Sequence, residues 1–338
     1  MNFRWDPALI LGIDLGGTKI LAGVVDREGR ILSRAKRSTP AAQGGPAIVA
    51  AIMECVREAV QTAGASLDQI AAAGLGSPGP LDADAGVILW SANLNVRDFP
   101  IGPELSQILG CPVVLDNDVR VGGYAEYRLG AGQEYKNLII AFVGTGIGGC
   151  VIVDGAMVAG STRNAGELGH TVIKTGGPRC GCGARGCVES LASKTAITRR
   201  IEKAVRKGLP TMLGERISRK GRLKSRDLAE AVMANDLVAL NEVQRSAHFL
   251  GIGLGNLINV LGPEAIVIGG GIAQALGDTY VDMVRASART IAITDPGDTI
   301  VIRRAALGDD AGFLGAALFA RERFRPSETR YEVHSTTP

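Results

Sequence analysis

The chain has 338 residues, 46% of them apolar, with a formal charge of only +3, which excludes a disordered or fibrous protein and leaves length for two domains, each with its own core. The one conspicuously basic stretch, Arg199 to Lys224, is interrupted by apolar residues and nearly lacks aromatics, so it reads as a solvated helical face and loop, with no nucleic-acid partner. No window approaches a membrane span, and the amino terminus lacks a charged region followed by a long apolar run and a cleavage site, so no membrane partner and a cytoplasmic location are expected.

In chain order, "LILGIDLGGTKILAGVVDREGRILSR" reads as strand, glycine turn, strand, turn at Arg27 to Gly29 and a third strand. Ala47 to Gly64 has helical periodicity and ends on a glycine. "IAAAGLGSPGPLD" is a buried strand running into a Gly/Pro loop, and "CPVVLDNDVRVGGYAEYRLG" is a strand whose polar tip opens a helix. The pattern then restarts: "NLIIAFVGTGIGGCVIVDGAMVAG" is again strand, glycine turn, strand, Asp-Gly turn, strand, which indicates an internal duplication. Beyond a cysteine cluster the chain is mostly helical, through "SLASKTAITRRIEKAV", "SRDLAEAVMAND" and "LVALNEVQRSAHFLGIGLGNLINVL", before one more strand and glycine turn, "AIVIGGGIAQAL". The last ordered element is expected at Asp309 to Phe324, with the polar tail, residues 327–338 above all, disordered. Two sheets with helices between them predict an α/β protein of two similar lobes with ligands in the cleft.

Three glycine turns, at Gly16-Gly17, Gly144 to Gly149 and Gly269 to Gly271, each follow an apolar strand, so their backbone N–H groups can approach phosphate oxygens. None has the P-loop spacing, and none has the dinucleotide G-x-G-x-x-G in a βαβ context. In "DLGGTK", Asp14 can hold a hydrated magnesium ion while Thr18 and Lys19 contact phosphate; an ordinary hairpin turn is the alternative. "LDNDVR" sets Asp116, Asn117 and Asp118 at a strand end, where a carboxylate can take the proton from an attacking hydroxyl, or where Asp and Asn can simply cap a helix.

Cys55, Cys111 and Cys150 lie singly in apolar stretches as inert thiols. His170, Cys180, Cys182 and Cys187 have the spacing H-x9-C-x-C-x4-C, and three thiolates with one imidazole suit tetrahedral zinc. Four protein ligands leave no open coordination position, so the site is expected to be structural. Glu167 and Glu189 flank it, either as solvated carboxylates or as binding groups held by the metal loop.

In this order, "GIDLGGTKI", "GSPGP", "ANL", "LDNDV", "GTGIGG", "GELGH", "CGCGARGCVES", "VIGGGI" and "GDDAGFLGAA" resemble the ROK family of sugar kinases and repressors over nearly the full chain, most closely its bacterial ATP-dependent glucokinases. The resemblance implies a two-lobed actin/Hsp70/hexokinase-like (ribonuclease H-like) fold with a duplicated βββαβα core and an inter-lobe cleft. Residues 1–116 with 309–326 would form the small lobe and 117–308 the large one. Asp14, Gly16, Gly17, Thr18 and Lys19 fall on the family's first phosphate motif, Gly144, Thr145 and Gly146 on its second, and Gly270 and Gly271 on its adenosine seat. Asp118 matches the base that deprotonates the sugar 6-hydroxyl, and Gly79, Asn93, Asn117, Asp118, Glu167, His170 and Glu189 match sugar-contacting positions. His170 then has two tasks, one ring nitrogen on zinc and the other toward a sugar hydroxyl.

The implied substrates are ATP with magnesium and a sugar, glucose first, with structural zinc and a homodimer or homotetramer. N-acetylmannosamine, N-acetylglucosamine, mannose and fructose are alternative acceptors, polyphosphate an alternative donor, and a sugar-sensing regulator without catalysis the alternative class. The repressors' helix-turn-helix segment ahead of the first phosphate motif has no counterpart here, so a DNA-binding repressor is not expected. One departure stands out: Arg120 and Gly122-Gly123 follow the base where many members continue with Asn and alanines.

Overall fold

The computed structural model describes residues 9–220, 223–293 and 299–324. The chain forms two compact units: residues up to Val121 together with those from Gly312 onward, and Gly122–Ala311. The first begins as the antiparallel meander β1 (Leu9–Leu15), β2 (Lys19–Val25) and β3 (Ile31–Ser38), followed by α1 (Gly45–Thr62) and β4 (Ile70–Ser77), which runs parallel to β1. A small three-stranded sheet, β5 (Leu81–Asp82), β6 (Val87–Ser91) and β7 (Val96–Phe99), and α2 (Ile101–Leu109) intervene before β8 (Val113–Asn117), parallel to β4. The main sheet has the order β3-β2-β1-β4-β8, and β8 turns directly into α3 (Asp118–Leu129).

The second unit repeats the plan. Strands β9 (Leu138–Val143), β10 (Ile147–Val153) and β11 (Ala156–Met157) form its meander, with the Asp-Gly turn at Asp154 and Gly155 in the left-handed region, as a tight hairpin requires. The cysteine–histidine loop follows, then helices α4 (Val188–Ala192), α5 (Lys194–Arg206), α6 (Leu213–Lys220), α7 (Ser225–Met233) and α8 (Leu237–Leu261). β12 (Ala265–Gly269), α9 (Gly270–Leu276), α10 (Asp278–Arg289) and β13 (Val301–Arg304) complete it, and α11 (Ala311–Phe324) carries the chain back to the first unit. Its sheet order, β11-β10-β9-β12-β13, reproduces that of the first unit strand for strand.

Strand β1, LILGIDL, reads as a nearly continuous apolar run because both of its faces are covered. Leu11, Ile13 and Leu15 pack with Ala73 and Leu75 in one core with Ile48, Ile52 and Val56 of α1, whose fourfold spacing puts them on one helical face. Burial of each such side chain stabilises by roughly 1.5–3 kcal/mol. On the other face three glycines stand in register across neighbouring strands, Gly23 opposite Gly12 and Gly12 beside Gly74. A Cβ at Gly12 or Gly74 would land on the carbonyl of Phe313 or Ala316, and one at Gly23 on the Phe313 ring. This row is the bed on which α11 lies, backbone against backbone.

The unit boundaries differ from the sequence reading of residues 117–308 as one lobe. Asn117 to Val121 stay with the first unit, because Gly76 leaves room for α3's first turn: a Cβ there would be 2.8 Å from Val121 Cγ2 and 3.3 Å from Asp118 Cα. The return segment stays with the second unit through Ala311, since fully buried Glu126 of α3 accepts the N–H groups of Ala306 and Leu307 at 3.0 and 2.8 Å. The expected disordered tail, residues 327–338, lies outside the described residues. Among the described residues no helix is long and apolar enough to cross a membrane.

Candidate active site

In the first unit the carboxyl ends of the parallel strands β1, β4 and β8 collect the predicted residues on one edge, where ligands bind in α/β sheets. Asp14 pairs in register with Gly76, and Gly76 with Asp116. Asp14 points to the α11 side, where Gly312 leaves it room: a Cβ at 312 would be 2.6 Å from its Cγ. The turn after β1 is closed by Gly16 N–H donating to the Lys19 carbonyl at 2.9 Å, and Thr39 Oγ1 donates to the Gly16 carbonyl at 2.7 Å. A Cβ on Gly17 would come within 3.0 Å of Asn93 Cβ, so the turn and the predicted sugar contact Asn93 are neighbours. Gly79, at φ 108, lies against the Trp90 carbonyl, where only glycine fits.

At the β8–α3 corner both Asn117 and Asp118 accept backbone N–H groups of the first turn of α3. Asn117 Oδ1 accepts the N–H groups of Val119 and Arg120 at 3.0 and 3.2 Å, so this residue caps the helix. Its carboxamide oxygen is thereby occupied and its NH2 is the group left to meet a ligand oxygen. Asp118 opens the helix, its Oδ1 taking the Val119 N–H at 2.9 Å. Beside them Arg120 forms an ion pair with Asp116, Nε to Oδ1 2.9 Å, in which both side chains are almost completely buried. Ser77, the register neighbour of Asn117, holds a buried hydroxyl without a hydrogen-bond partner, the one such side-chain atom among the described residues.

In the second unit the turn after β9 is closed by Gly144 N–H donating to the Gly146 carbonyl at 2.9 Å. It is held from the α4–α5 junction, where Lys194 N–H donates to the Gly144 carbonyl at 3.0 Å and Thr195 Oγ1 to the Thr145 carbonyl at 2.7 Å. Gly270, at φ 83, opens α9 with its Cα against Val143: a Cβ would be 2.6 Å from Val143 N, so the second and third glycine turns are adjacent.

The cysteine–histidine loop is folded as a compact knuckle, with Cys180 N–H donating to the Ala184 carbonyl at 2.8 Å and Gly186 N–H to the Pro178 carbonyl at 2.9 Å. One ligand atom from each of His170, Cys180, Cys182 and Cys187 lies within 4.8 Å of all the others. A tetrahedral zinc with ordinary bond lengths has edges of about 3.8 Å between sulfurs and about 3.6 Å from sulfur to nitrogen. Cys182 Sγ and Cys187 Sγ are 3.8 Å apart, and His170 Nδ1 is 3.6 Å from Cys180 Sγ, so this donor set fits. Burial pushes the Cys180 thiol up to about 12 and Cys187 up as well, while chiefly the Ala184 backbone hydrogen bond pulls Cys182 down. A metal held by these thiols would therefore displace protons and bind more tightly as pH rises.

His170 turns its other nitrogen outward, Nε2 being 3.9 Å from the exposed Glu167 Oε2. Glu189 is held more firmly than sequence reasoning foresaw. Its Oε2 accepts the Ile147 N–H at 2.9 Å directly over Gly146, and its Oε1 is 3.6 Å from Cys180 Sγ, so one carboxylate joins the cysteine–histidine loop to the second glycine turn. The Ile147 contact spans 42 residues and has no local signature; the close approach it needs is visible only as a glycine at 146.

The sequence profile of the ROK family matches residues 10–323. A glucokinase of Halalkalibacterium halodurans is 34% identical over 334 residues, covering 98% of this chain and all of that protein. An N-acetylmannosamine kinase of Yersinia pseudotuberculosis is 33% identical over 315 residues, 92% of this chain and 98% of that one. The crystal structure of a ROK family glucokinase from Streptomyces griseus in complex with glucose and AMPPNP superposes with a TM-score of 0.81 at 34% identity, covering 93% of this chain and 100% of that one. With doubled sheets, three glycine turns at strand ends and a cysteine–histidine knuckle already in place, these matches show that the chain belongs to the ROK family, as a sugar kinase, a phosphotransferase of the actin- and hexokinase-like fold.

Proposed function

We propose that the protein is a glucokinase, transferring the γ-phosphoryl of ATP to the 6-hydroxyl of glucose. The observation that carries the reading is the β8–α3 corner: Asn117 accepts two amides of the helix's first turn, and Asp118 stands on the carboxyl edge of the same sheet that carries Asp14, one strand removed from it, as a carboxylate to take a proton. Asp118 removes the hydroxyl proton as the oxygen attacks, a role that needs a carboxylate in hydrogen-bond reach of the acceptor. Gly79, Asn93, Asn117, Glu167, His170 and Glu189 contact the sugar. Phosphate oxygens are met by Gly16, Gly17, Thr18 and Lys19 and by Gly144, Thr145 and Gly146, with adenosine at Gly270 and Gly271. Asp14 is the residue to hold magnesium, which when bound neutralises phosphate charge. Zinc on His170, Cys180, Cys182 and Cys187 keeps the imidazole neutral and its outer nitrogen fixed.

A coupled ADP-release screen over hexoses and N-acetylhexosamines, with ATP and polyphosphate as donors, tests the reading. Glucose with ATP is expected to give the highest kcat/KM. A preference for N-acetylmannosamine, the acceptor named for a 33% identical relative, would replace glucose while leaving the kinase chemistry intact. No ADP release with any acceptor would turn the reading toward a sugar sensor.

A further inference from the structure

We propose that Arg120 is a positioning residue for the base Asp118, acting through Asp116; the inference rests on the reading of Asp118 given above. Arg120 stands in the first turn of a 12-residue helix, at the positive end of the helix dipole, where a cation is disfavoured. It is also 5% exposed, and so is Asp116, so both charges have been taken out of water. As a stability device this is a poor choice, since a neutral pair of similar size in such a place is as stable or more so.

The arrangement does something a neutral pair cannot. Arg120 Nε donates to Asp116 Oδ1 at 2.9 Å and Nη2 reaches Asp116 Oδ2 at 3.5 Å, a two-pronged grip by a planar fork. Asp116 Oδ1 also accepts the Asn117 N–H at 2.7 Å, and Asn117 Oδ1 returns to the Val119 and Arg120 amides. Asp118 sits at the middle of this loop, two residues from each end of the ion pair. The end of β8 and the first turn of α3 are thereby pinned to each other, and the direction in which Asp118 leaves the corner is set by Arg120 and Asp116 through the Asn117 backbone. Loss of the grip lets the carboxylate wander from the attacking hydroxyl, and small misplacements at a reacting centre are costly.

The test compares Arg120→Met, Asp116→Asn and the double variant, measuring melting temperature together with kcat and KM on the preferred sugar. Arg120→Met alone strands a buried carboxylate and lowers the melting temperature. The double variant keeps an oxygen for the Asn117 amide and removes the carboxylate that Arg120→Met strands, so its melting temperature is expected to rise above that of Arg120→Met. Its kcat is expected to stay reduced about tenfold or more with KM within about twofold, a split that a purely structural role would not produce. Arg120→Lys keeps the charge and loses the fork, and a lowered kcat is expected there too. Wild-type kcat in either the folded double variant or Arg120→Lys overturns the proposal. A wild-type chain that phosphorylates no sugar overturns the reading of Asp118 first and this inference with it, so the two failures are distinguishable.

Discussion

The first unit's sheet receives α11 on a row of glycines, whereas the second unit, with the same strand order, packs side chains instead. There the row matching Gly23, Gly12 and Gly74 holds Cys150, Ile140 and Val267, in one core with Leu138, Ile152 and Ala265. The two units also place their additions differently. The first inserts its small sheet between β4 and β8, and the second inserts the cysteine–histidine loop and five helices between β11 and β12. One topology is thus stabilised in two ways. Backbone-to-backbone contact leaves no room for even a methyl group, while interdigitated side chains can exchange volume with their neighbours.

The largest effect that bears on this contrast belongs to the first unit's edge. Asp118→Asn is expected to lower kcat by roughly 10²–10⁴-fold while leaving sugar binding, followed by titration calorimetry, near wild type. Retention of wild-type turnover would remove the role of base from Asp118. Next in size is the glycine bed: Gly74→Ala is expected to cost about 3 kcal/mol or more, or to prevent folding, because its methyl meets the Ala316 carbonyl rather than a movable side chain. A folded Gly74→Ala protein with an unchanged thermal midpoint would show that α11 is free to lift from the sheet.

In the second unit the sensitive point is the cysteine–histidine knuckle. Cys182→Ser is expected to release the metal and, through the Glu189 bridge to Ile147, to weaken nucleotide binding at the second glycine turn. Zinc analysis with nucleotide titration checks this, and full nucleotide affinity after metal loss would uncouple the two. Because the thiols bind as thiolates, metal should also be shed as pH falls.

A smaller effect is expected at the start of α8. Asp236 Oδ1 accepts the Ala239 N–H at 3.0 Å, and Oδ2 takes the Thr211 hydroxyl and the Met212 N–H at 2.8 Å each. Burial works against its charge, but these bonds together hold its carboxyl below the ordinary value. Its folded pKa being depressed, the stabilisation is present above the unfolded value and is lost as pH falls through the folded one. Asp236→Ala should cost about 1 kcal/mol at neutral pH and less in acid, measured as thermal midpoints across that range.

The smallest effect distinguishes a glycine that is needed from one that is not. Gly122 lies within α3, and a Cβ there would sit 3.6 Å from the Phe142 ring, an ordinary contact. Gly122→Ala should therefore raise stability by about 0.4–1 kcal/mol, and a fall in the melting temperature would mean that this helix needs its glycine.

Local pattern made much of this protein legible in advance. The hairpins at Gly16-Gly17 and Asp154-Gly155, the long helix α8 and the duplication are written within short stretches, because turn chemistry and hydrophobic period act between near neighbours. The candidate metal ligands could be picked out from spacing, since three of the four lie within one eight-residue loop, and the fold brings a ligand atom of each to within 4.8 Å of the others. Tertiary structure decided what depends on partners far apart in the chain. Gly12, Gly23 and Gly74 look alike in sequence to the glycines proposed to meet phosphate, and only the arrival of α11 some 240 residues after Gly74 marks them as a helix bed. Arg120 was visible as a departure from family pattern, but its burial against Asp116 was not, because burial is settled by everything that packs around the corner. The grip of Glu126 on Ala306 and Leu307 and that of Glu189 on Ile147 are of the same kind: no periodicity encodes them, because their energy exists only once distant backbone N–H groups have been brought to a carboxylate.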